Sequence, residues 1–488
     1  MTKNELLFLF PLGFLLLGAL VCLVLEAAGT PVGARKKGAR VHLAMLSLFS
    51  AIAAFTQLYV LGQAVTPTSL FSGLVKADQF GFLCGCLMIG VLVLTLLLSI
   101  PSLITLKKNI GEVYALLLFA TTANLMIAFC DDFMSLIASL MFLYISAASL
   151  GILSIHHSKG AEATTKLLFV ASFVFAILGF ATGLLYTLIG KTNFGALSEL
   201  IAISPSAGFL ILALLCLSIL LITSFAPFHS TRVDVLHGFP FFAAGFLHIN
   251  FLVAGGTLYY RLLVNLPEQW QQHITEFVFV LIGIGLVAPA ISASDQSHVR
   301  RLLGFLVIGQ SSCLLAALHL FGLGHLDLET TVFVLATCAL SMFGAYSVLS
   351  CVEAAAEKQQ TLEAWSGLGK QRPLFALSVL WMFGAIAGIP GTGGFSVRLV
   401  LAETFFATAH PIMGVLFIVT LIFSSLPVFR FGILLFAKTP TRHAYPVDQS
   451  VWQSLVIVFA SLLIVALGLF FRPIIDLLGF VLSSGGPS

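Results

Sequence analysis

The dominant pattern along the chain is a succession of long apolar runs separated by short polar segments. A helix of about 20 apolar residues is long enough to cross the hydrocarbon core of a bilayer. The segments between the runs are too short for a soluble domain, which needs at least about 50 residues. The pattern predicts an all-α integral membrane protein, a single polytopic domain over residues 1–488. The pattern predicts about fourteen transmembrane helices, here called spans one to fourteen. They are expected at residues 6–28, 41–64, 79–105, 113–130, 133–155, 165–189, 207–229, 239–260, 274–294, 302–323, 330–352, 374–400, 409–437 and 451–471.

The composition agrees with a membrane protein and excludes other classes. Hydrophobic residues make up 59% of the chain and charged residues only 9%, whereas a soluble domain carries about 25% charged residues. A net charge of +3 without a Lys/Arg stripe argues against nucleic acid as a partner. The eight cysteines are scattered, and Cys84-Gly-Cys86 lacks the spacing of a metal site. The expected partner is therefore the lipid bilayer, and the cysteines are expected to be small core residues.

The distribution of lysine and arginine among the loops predicts the orientation. Loops after odd-numbered spans hold fifteen of these residues, and loops after even-numbered spans hold three, counting Arg261 at a helix end. Short cytoplasmic loops retain the positive residues. The odd loops are therefore predicted to be cytoplasmic, with both termini on the opposite side.

Ionisable residues within the apolar runs are few. The four that are candidates for a functional role are Lys166 at the start of span six, His248 in span eight, Arg398 in span twelve and Arg430 in span thirteen. Such groups cost several kcal/mol at membrane depth and usually line a hydrated path. Asp131 and Asp132 precede span five, where carboxylates favour a helix N-terminus, and are expected at the membrane boundary.

Span twelve is predicted to be broken. Its sequence Ala387-Gly-Ile-Pro-Gly-Thr-Gly-Gly-Phe395 places Pro390, Gly391, Gly393 and Gly394 inside a spanning run. Proline removes a hydrogen-bond donor and clashes with the preceding turn, and broken helices recur at transport sites. Arg398 follows one turn later. A simple proline kink with a snorkelling arginine is the alternative.

Span seven carries a second interruption around Pro227, in Ser224-Phe-Ala-Pro-Phe-His229. Asp234 and His237 follow, but the spacing from His229 is not that of a metal site. We therefore expect no metal and a hydrogen-bonded cluster at the helix end.

Several short motifs occur in a recognisable order. They are Glu112-Val-Tyr-Ala-Leu-Leu-Leu-Phe-Ala120, Glu162-Ala-Thr-Thr-Lys166, Pro227-Phe-His229 with Asp234-Val235 and Gly238-Phe-Pro240, His298-Val-Arg-Arg-Leu-Leu303, and Gly388-Ile-Pro390 with Gly394-Phe395 and Arg398. In this order the chain resembles the antiporter-like membrane subunits of respiratory complex I, and in particular the subunit N family of bacterial NADH:quinone oxidoreductases (subunit 2 in mitochondria). The resemblance covers roughly residues 110 to 400.

The resemblance implies fourteen helices that include two inverted five-helix repeats, here residues 110–260 and 261–437, with spans seven and twelve broken. It also implies a hydrated proton path at mid-membrane. On this chain the path falls on Lys166, on His248 or Asn250, and on Arg398. Lys166 would lie at the cytoplasmic mouth of the first half-channel, with an interfacial anchor as the alternative.

The chain departs from the family pattern where protons would be held. The family's glutamate in span five falls on Met141, and its lysine in span seven falls on Ile222. Neither side chain can bind a proton. At the span-twelve position Arg398 replaces lysine, and its pKa above about 12 makes it a fixed charge. His248 can titrate near neutral pH and so could relay a proton.

The function implied by the resemblance is that of subunit N in a proton-translocating NADH:quinone oxidoreductase. The alternatives are an antiporter-like scaffold that has lost pumping and a cation/proton antiporter subunit. No redox chemistry is expected in this chain, because NADH, flavin, iron–sulfur clusters and quinone belong to partner subunits. The expected partners are L-, M- and K-like membrane subunits, and the expected location is the bacterial inner membrane.

Overall fold

The computed structural model describes residues 3–28, 37–64, 68–106, 110–153, 158–225, 227–229, 238–352, 361–437 and 451–484. Within these residues, thirteen helices are long and apolar enough to cross a membrane. A fourteenth span is split into two shorter helices, as its sequence predicts. The prediction of an all-α membrane protein with fourteen spans is confirmed.

The spans follow the apolar runs closely. Spans one to six are Lys3–Ala28, Lys37–Ala64, Gln79–Leu106, Ile110–Ala128, Phe133–Leu153 and Ser158–Ile189. Spans seven to eleven are Pro205–Thr223, Phe241–Val264, Glu268–Ser294, Val299–Gly322 and Leu328–Ser350. Span twelve comprises Pro373–Ala387 and Gly393–Ala407, and spans thirteen and fourteen are Pro411–Phe436 and Val451–Leu469.

The remaining elements are short and lie between or after the spans. Strands Thr68–Leu70 and Val75–Ala77 form an antiparallel hairpin between spans two and three. Short helices occupy Ala196–Ile203, Leu368–Gln371 and Phe471–Ser484, and 3-10 turns occupy Phe71–Gly73 and Leu362–Trp365. The last helix, Phe471–Ser484, was not predicted from the sequence. No polar loop separates it from the fourteenth run, because only Arg472 and Pro473 follow Phe471 before the apolar residues continue.

Burial separates inner from outer spans. Spans four, eight, ten and eleven are the most buried, whereas only about a third of the residues in the most apolar part of spans one, six, nine and fourteen are buried. Exposed side chains on the outer spans are large and apolar, such as Phe169, Val280 and Leu462. Lipid tails accept such side chains, so this exposure is expected of a membrane protein.

The chain forms two compact units. The first comprises residues 1–223, 246–271 and 481–488, and the second comprises 224–245 and 272–480. The repeats implied at 110–260 and 261–437 remain a prediction.

In the first unit, loops that follow even-numbered spans meet one another. The backbone N–H of Lys76 donates to the carbonyl of Phe129 at 2.8 Å, which joins the hairpin to the end of span four. Phe194 N–H donates to Asp131 at 3.1 Å, and Phe133 N–H donates to Thr192 at 2.9 Å. Asp132 caps span five through Met134 N–H at 2.8 Å, as expected, but its side chain is buried.

In the second unit, segments next to the loops that follow odd-numbered spans are hydrogen-bonded to one another. Leu362 N–H donates to the carbonyl of Ser297 at 2.7 Å, and Gly367 N–H donates to Leu434 at 3.1 Å. Arg430, near the end of span thirteen, donates to the carbonyl of Ser294 at 2.7 Å. Loops of one parity therefore lie together within a unit, as alternate crossing of a membrane requires.

Candidate functional site

The break in span twelve is built by glycine geometry. The first half ends at Ala387, and Gly388 adopts the left-handed conformation with φ +84°. The N–H groups of Gly388 and Ile389 both return to the carbonyl of Gly384, at 2.8 and 2.9 Å, which is the hydrogen bonding of a glycine-terminated helix. Pro390 then prevents the helix from continuing. The predicted break is confirmed, and it leaves carbonyls at the end of the first half for another donor.

Arg398 supplies that donor. Its side chain is 2% exposed. Nη1 donates to the carbonyl of Ala387 and, at 2.8 Å, to Oγ of Ser424 in span thirteen. Nη2 donates to the carbonyl of Ile386 at 3.3 Å. The guanidinium thus caps the negative end of the first half-helix, where a cation is favoured. A snorkelling arginine would reach the membrane surface, so the buried geometry excludes that alternative.

Span ten passes beside the guanidinium. A methyl group added at Gly309 would lie 3.9 Å from Nη2 of Arg398, and the Cys313 thiol, one turn further along, lies close enough to the guanidinium to interact with it electrostatically. Gln310 between them donates to Sγ of Cys338 in span eleven at 3.2 Å. Arg398 makes no salt bridge within the described part of the chain. Its positive charge is balanced by carbonyl and hydroxyl dipoles.

Spans ten, eleven and twelve of the second unit contain buried polar atoms that are not satisfied by protein groups within the described residues. Gln310 Oε1, Thr337 Oγ1, Ser341 Oγ and Arg398 Nε have no hydrogen-bond partner among the described residues. Gln310, Thr337 and Ser341 are fully buried. Buried polar atoms in proteins are normally paired, either with protein or with ordered water. Ordered water could satisfy these atoms.

Span seven ends at Thr223, and Ser224 follows with a positive φ of 52°. Pro227 lies in a turn after the helix, so an interruption is present where the sequence predicts it. Asp234 and His237 lie outside the described residues. His229 packs against Phe305 with ring centroids 6.2 Å apart. Among the described residues, no group of three or more His, Cys, Asp or Glu side chains could hold a metal ion.

Span eight is the most buried span and carries two of the proposed proton-path residues. His248 is 2% exposed and Asn250 is fully buried. Oδ1 of Asn250 accepts a hydrogen bond from Nδ2 of Asn124 in span four, and Nδ2 of Asn250 donates to the carbonyl of Phe246 at 2.7 Å. Asn250 is therefore engaged in joining spans four and eight, which leaves His248 as the titratable candidate of this span.

We expect the Asn124 and Asn250 side chains to be energetically coupled. Hydrogen bonds between spans contribute about 1 kcal/mol, so Asn124→Ala should lower the free energy of unfolding by about that amount. A double-mutant cycle with Asn250→Ala, measured by steric trapping in detergent micelles, should give a clear coupling energy. Thr121→Ala is the control, because this hydroxyl bonds within its own span, to Leu117 at 3.0 Å. Equal coupling of Asn250 to both positions would contradict the pairing.

Lys166 is placed at the surface. It pairs with Glu162 one turn earlier at 2.8 Å, and the two side chains are 41% and 63% exposed. This geometry fits the interfacial anchor better than the mouth of a buried half-channel. Its assignment to a proton path stays a prediction with no support from its surroundings.

Comparison with known proteins gives a family. The sequence profile described as NADH:quinone oxidoreductase/Mrp antiporter, TM, matches residues 133–424, which is more than half of the chain. The chain belongs to this family. The match begins at span five and ends in span thirteen, and so includes both interruptions and Arg398.

Relatives and solved structures agree with family membership. The chain is 27% identical over 432 residues to "NADH-quinone oxidoreductase subunit N 2" of Roseiflexus castenholzii, with 85% of each protein covered. It is 25% identical over 424 residues to subunit N of Chloroflexus aggregans, again with 85% of each covered. A chain of respiratory complex I from Thermus thermophilus has the same fold, with TM-score 0.77, 21% identity and coverage of 98% of this chain and 99% of that one. A chain of the Mrp complex from a Dietzia species gives TM-score 0.82 at 16% identity, covering 99% and 98%.

Met141 and Ile222 stand where the family resemblance implies a glutamate and a lysine. Both residues are apolar, and one is exposed while the other is buried. Met141 is 45% exposed and shares an outward stripe of span five with Met134 and Ile145. Ile222 is fully buried, and a methyl group added at Gly255 of span eight would lie 3.2 Å from it. Neither position offers a proton-binding group.

Sequence reasoning missed three polar partners of the site. Asn124 and Gln310 are amide side chains inside apolar runs, and the sequence shows them there. The search for site residues considered only ionisable side chains and so passed over both. Ser424 gave no signal, because a serine within a span usually bonds to its own helix.

Proposed function

We propose that this chain is the subunit-N-type membrane subunit of a proton-translocating NADH:quinone oxidoreductase, respiratory complex I, and that its second unit contributes to proton translocation. Family membership and the subunit N relatives support the identity. The observation that supports the mechanism is the buried guanidinium of Arg398, held at a broken helix beside buried polar atoms that lack protein partners.

Arg398 acts in this proposal as a fixed positive charge. Arginine side chains stay protonated in proteins at physiological pH. The charge instead sets the potential in the interior of the second unit, where it favours hydroxyl and amide oxygens turned toward it and lowers the affinity of neighbouring water for a proton. Water bonded to Gln310, Thr337 and Ser341 then carries protons past Arg398. His248, in the first unit, is the titratable group that could load and release a proton near neutral pH.

No redox chemistry takes place in this chain under the proposal. NADH oxidation, flavin, iron–sulfur clusters and quinone reduction belong to partner subunits, and L-, M- and K-like membrane subunits are the proposed neighbours. The location is the bacterial inner membrane, with both termini on the periplasmic side. Genes for L- and M-like chains beside the gene of this chain would support the assignment to complex I.

The role of Arg398 as a charge can be separated from its role as a hydrogen-bond donor. Arg398→Gln removes the charge but keeps amide donors, and Arg398→Lys keeps the charge. We expect the glutamine variant of the purified, reconstituted complex to lose proton pumping per electron several-fold while NADH oxidation continues. The lysine variant should retain most of its pumping.

The scaffold alternative gives the opposite result. Met141 and Ile222 favour it for the first unit, since neither can bind a proton. If Arg398→Gln and His248→Ala both leave the proton-to-electron ratio unchanged in an assembled complex, this chain is a spacer rather than a pump. His273→Ala, an exposed histidine of span nine, serves as the control substitution for His248.

A further inference from the structure

Two histidines of the second unit pack against one phenylalanine ring. His319, in the last turn of span ten, is fully buried, and its ring packs edge-on against Phe279 of span nine with centroids 5.5 Å apart. His410, which begins span thirteen, is exposed and packs on the same phenyl ring at 4.8 Å. Phe279 therefore contacts both a buried imidazole and an exposed one.

The buried histidine lies on the same helix as the groups that contact Arg398. Cys313 lies beside the guanidinium, and His319 follows six residues later, about 9 Å farther along the helix axis. Span twelve also leads from Arg398 toward Phe279. Phe405, seven residues after Arg398, packs against Phe279 with ring centroids 5.4 Å apart. Two helices thus lead from the level of Arg398 to the same aromatic group.

Span ten carries a second buried polar group on the face of His319. Ser312 is fully buried and lies seven residues before His319, which places both on one face of span ten. A methyl group added at Gly285 of span nine would lie 2.3 Å from Oγ of Ser312. The interface between spans nine and ten therefore carries a buried hydroxyl and a buried imidazole in line.

We propose that His319, Phe279 and His410 form a gated proton exit at the end of the second unit, an inference that rests on the proposed translocation of protons through this unit. A proton held by the His319 imidazole passes, through water admitted when the Phe279 ring swings aside, to the imidazole of His410. His410 releases it at the exposed surface, and His319 takes up the next proton from the interior. With the ring in place, the contact excludes water, as apolar constrictions do in channels.

Other charged groups lie on the elements around this pair and set its field. They are His273 and Glu276 of span nine, His325 after span ten, and Glu403 of span twelve, which pairs with Arg472 at 3.2 Å. The positive-inside distribution of lysine and arginine assigns this end of spans ten and twelve to the side opposite the cytoplasm. A proton leaving here would complete the crossing.

The gate is tested by passive proton leak in liposomes that contain the assembled complex and an entrapped pH-sensitive dye, without turnover. Phe279→Ala should increase the leak several-fold, because water can then bridge the two imidazoles. Phe279→Leu, which keeps an apolar plug, should leak like the wild type. Phe279→Ala combined with His319→Leu should return to the wild-type rate. A leak that is unchanged in Phe279→Ala, or that persists without His319, overturns the proposal.

A second variant keeps the test decisive if Phe279→Ala does not assemble. His410 is exposed, so His410→Ala removes little beyond its contact with the Phe279 ring. We expect it to lower the proton-to-electron ratio, while His42→Ala, at an exposed histidine of span two, leaves that ratio unchanged. Equal ratios in these two variants count against the exit.

The outcome for Arg398→Gln is independent: if that variant loses pumping and Phe279→Ala does not leak, only the exit is wrong. A His319-dependent leak with normal pumping in Arg398→Gln leaves the exit intact and removes the proposed role of Arg398.

Discussion

Replacing Gly394 with alanine should lower the free energy of unfolding by about 3 kcal/mol or more and separate the two halves of span twelve. A Cβ atom at this position would lie 1.8 Å from the carbonyl oxygen of Ala385 and 3.0 Å from its carbonyl carbon. Real Cβ atoms do not approach other atoms so closely. The obstacle is backbone rather than a flexible side chain, so the two half-helices must move apart.

The surrounding structure leaves little room for that movement. Gly468 of span fourteen packs so closely on the break that a methyl group there would lie 2.4 Å from the carbonyl oxygen of Gly391. Oγ of Ser396 donates to the carbonyl of Leu467 at 3.0 Å and fixes the second half-helix against the same span. Separation of the halves would also move Arg398 away from the carbonyls of Ile386 and Ala387. Loss of stability and loss of the proposed charge site are therefore expected together.

The measurement is the melting temperature of the purified chain in detergent, followed by size-exclusion chromatography. Gly183→Ala is the matched control, because Gly183 also lies inside a span and nothing comes within 4 Å of a Cβ placed there. The control should keep the wild-type melting temperature, and Gly394→Ala should melt well below it. Equal melting temperatures would mean that the two halves of span twelve are not held as closely as the structure indicates.

The fold could be predicted from the sequence because the membrane imposes it. Each spanning helix must satisfy its own backbone groups in lipid, so length and hydropathy alone locate it. The break in span twelve was equally predictable, since Pro390 and Gly391 cannot continue a helix. Span seven shows the limit of the method: its apolar run extends to residue 229, but the helix ends at Thr223 because Ser224 adopts a positive φ.

The contacts of the site could not be predicted in the same way. The sequence shows that Arg398 carries a charge, but not that the guanidinium caps the half-helix before its own. Asn124 and Asn250 are 126 residues apart in the chain, and only the packing of span four on span eight brings them together. The motif around Lys166 did not reveal that its side chain lies at the surface in an ion pair with Glu162, and its place on a proton path stays a prediction.

Arg261 makes contacts that the sequence did not predict, because it was counted there only as a charge at a helix end. Its side chain is 4% exposed. Nη1 and Nη2 donate to the two carboxylate oxygens of Asp78 at 3.1 and 3.0 Å, and Nε donates to the carbonyl of Ala128 at 3.1 Å. Asp78 also accepts from the N–H of Gly81 at 2.9 Å. One guanidinium therefore joins the start of span three, the end of span four and the end of span eight.

Arg261→Ala should lower the free energy of unfolding by about 3–5 kcal/mol, because it leaves the Asp78 carboxylate largely buried without its partner. Arg261→Lys should recover only part of the loss, since an ammonium group cannot bind both carboxylate oxygens and the Ala128 carbonyl in the same geometry.

Steric trapping in detergent micelles measures both variants. The control is Lys191→Ala, whose pair with Glu199 has side chains 55% and 47% exposed and should contribute about 1 kcal/mol or less. If Arg261→Ala costs no more than Lys191→Ala, the buried pair does not hold the three spans together. A large loss would instead identify this pair as the main polar contact at that end of the first unit, where span eight, with His248 on it, is fixed against span four.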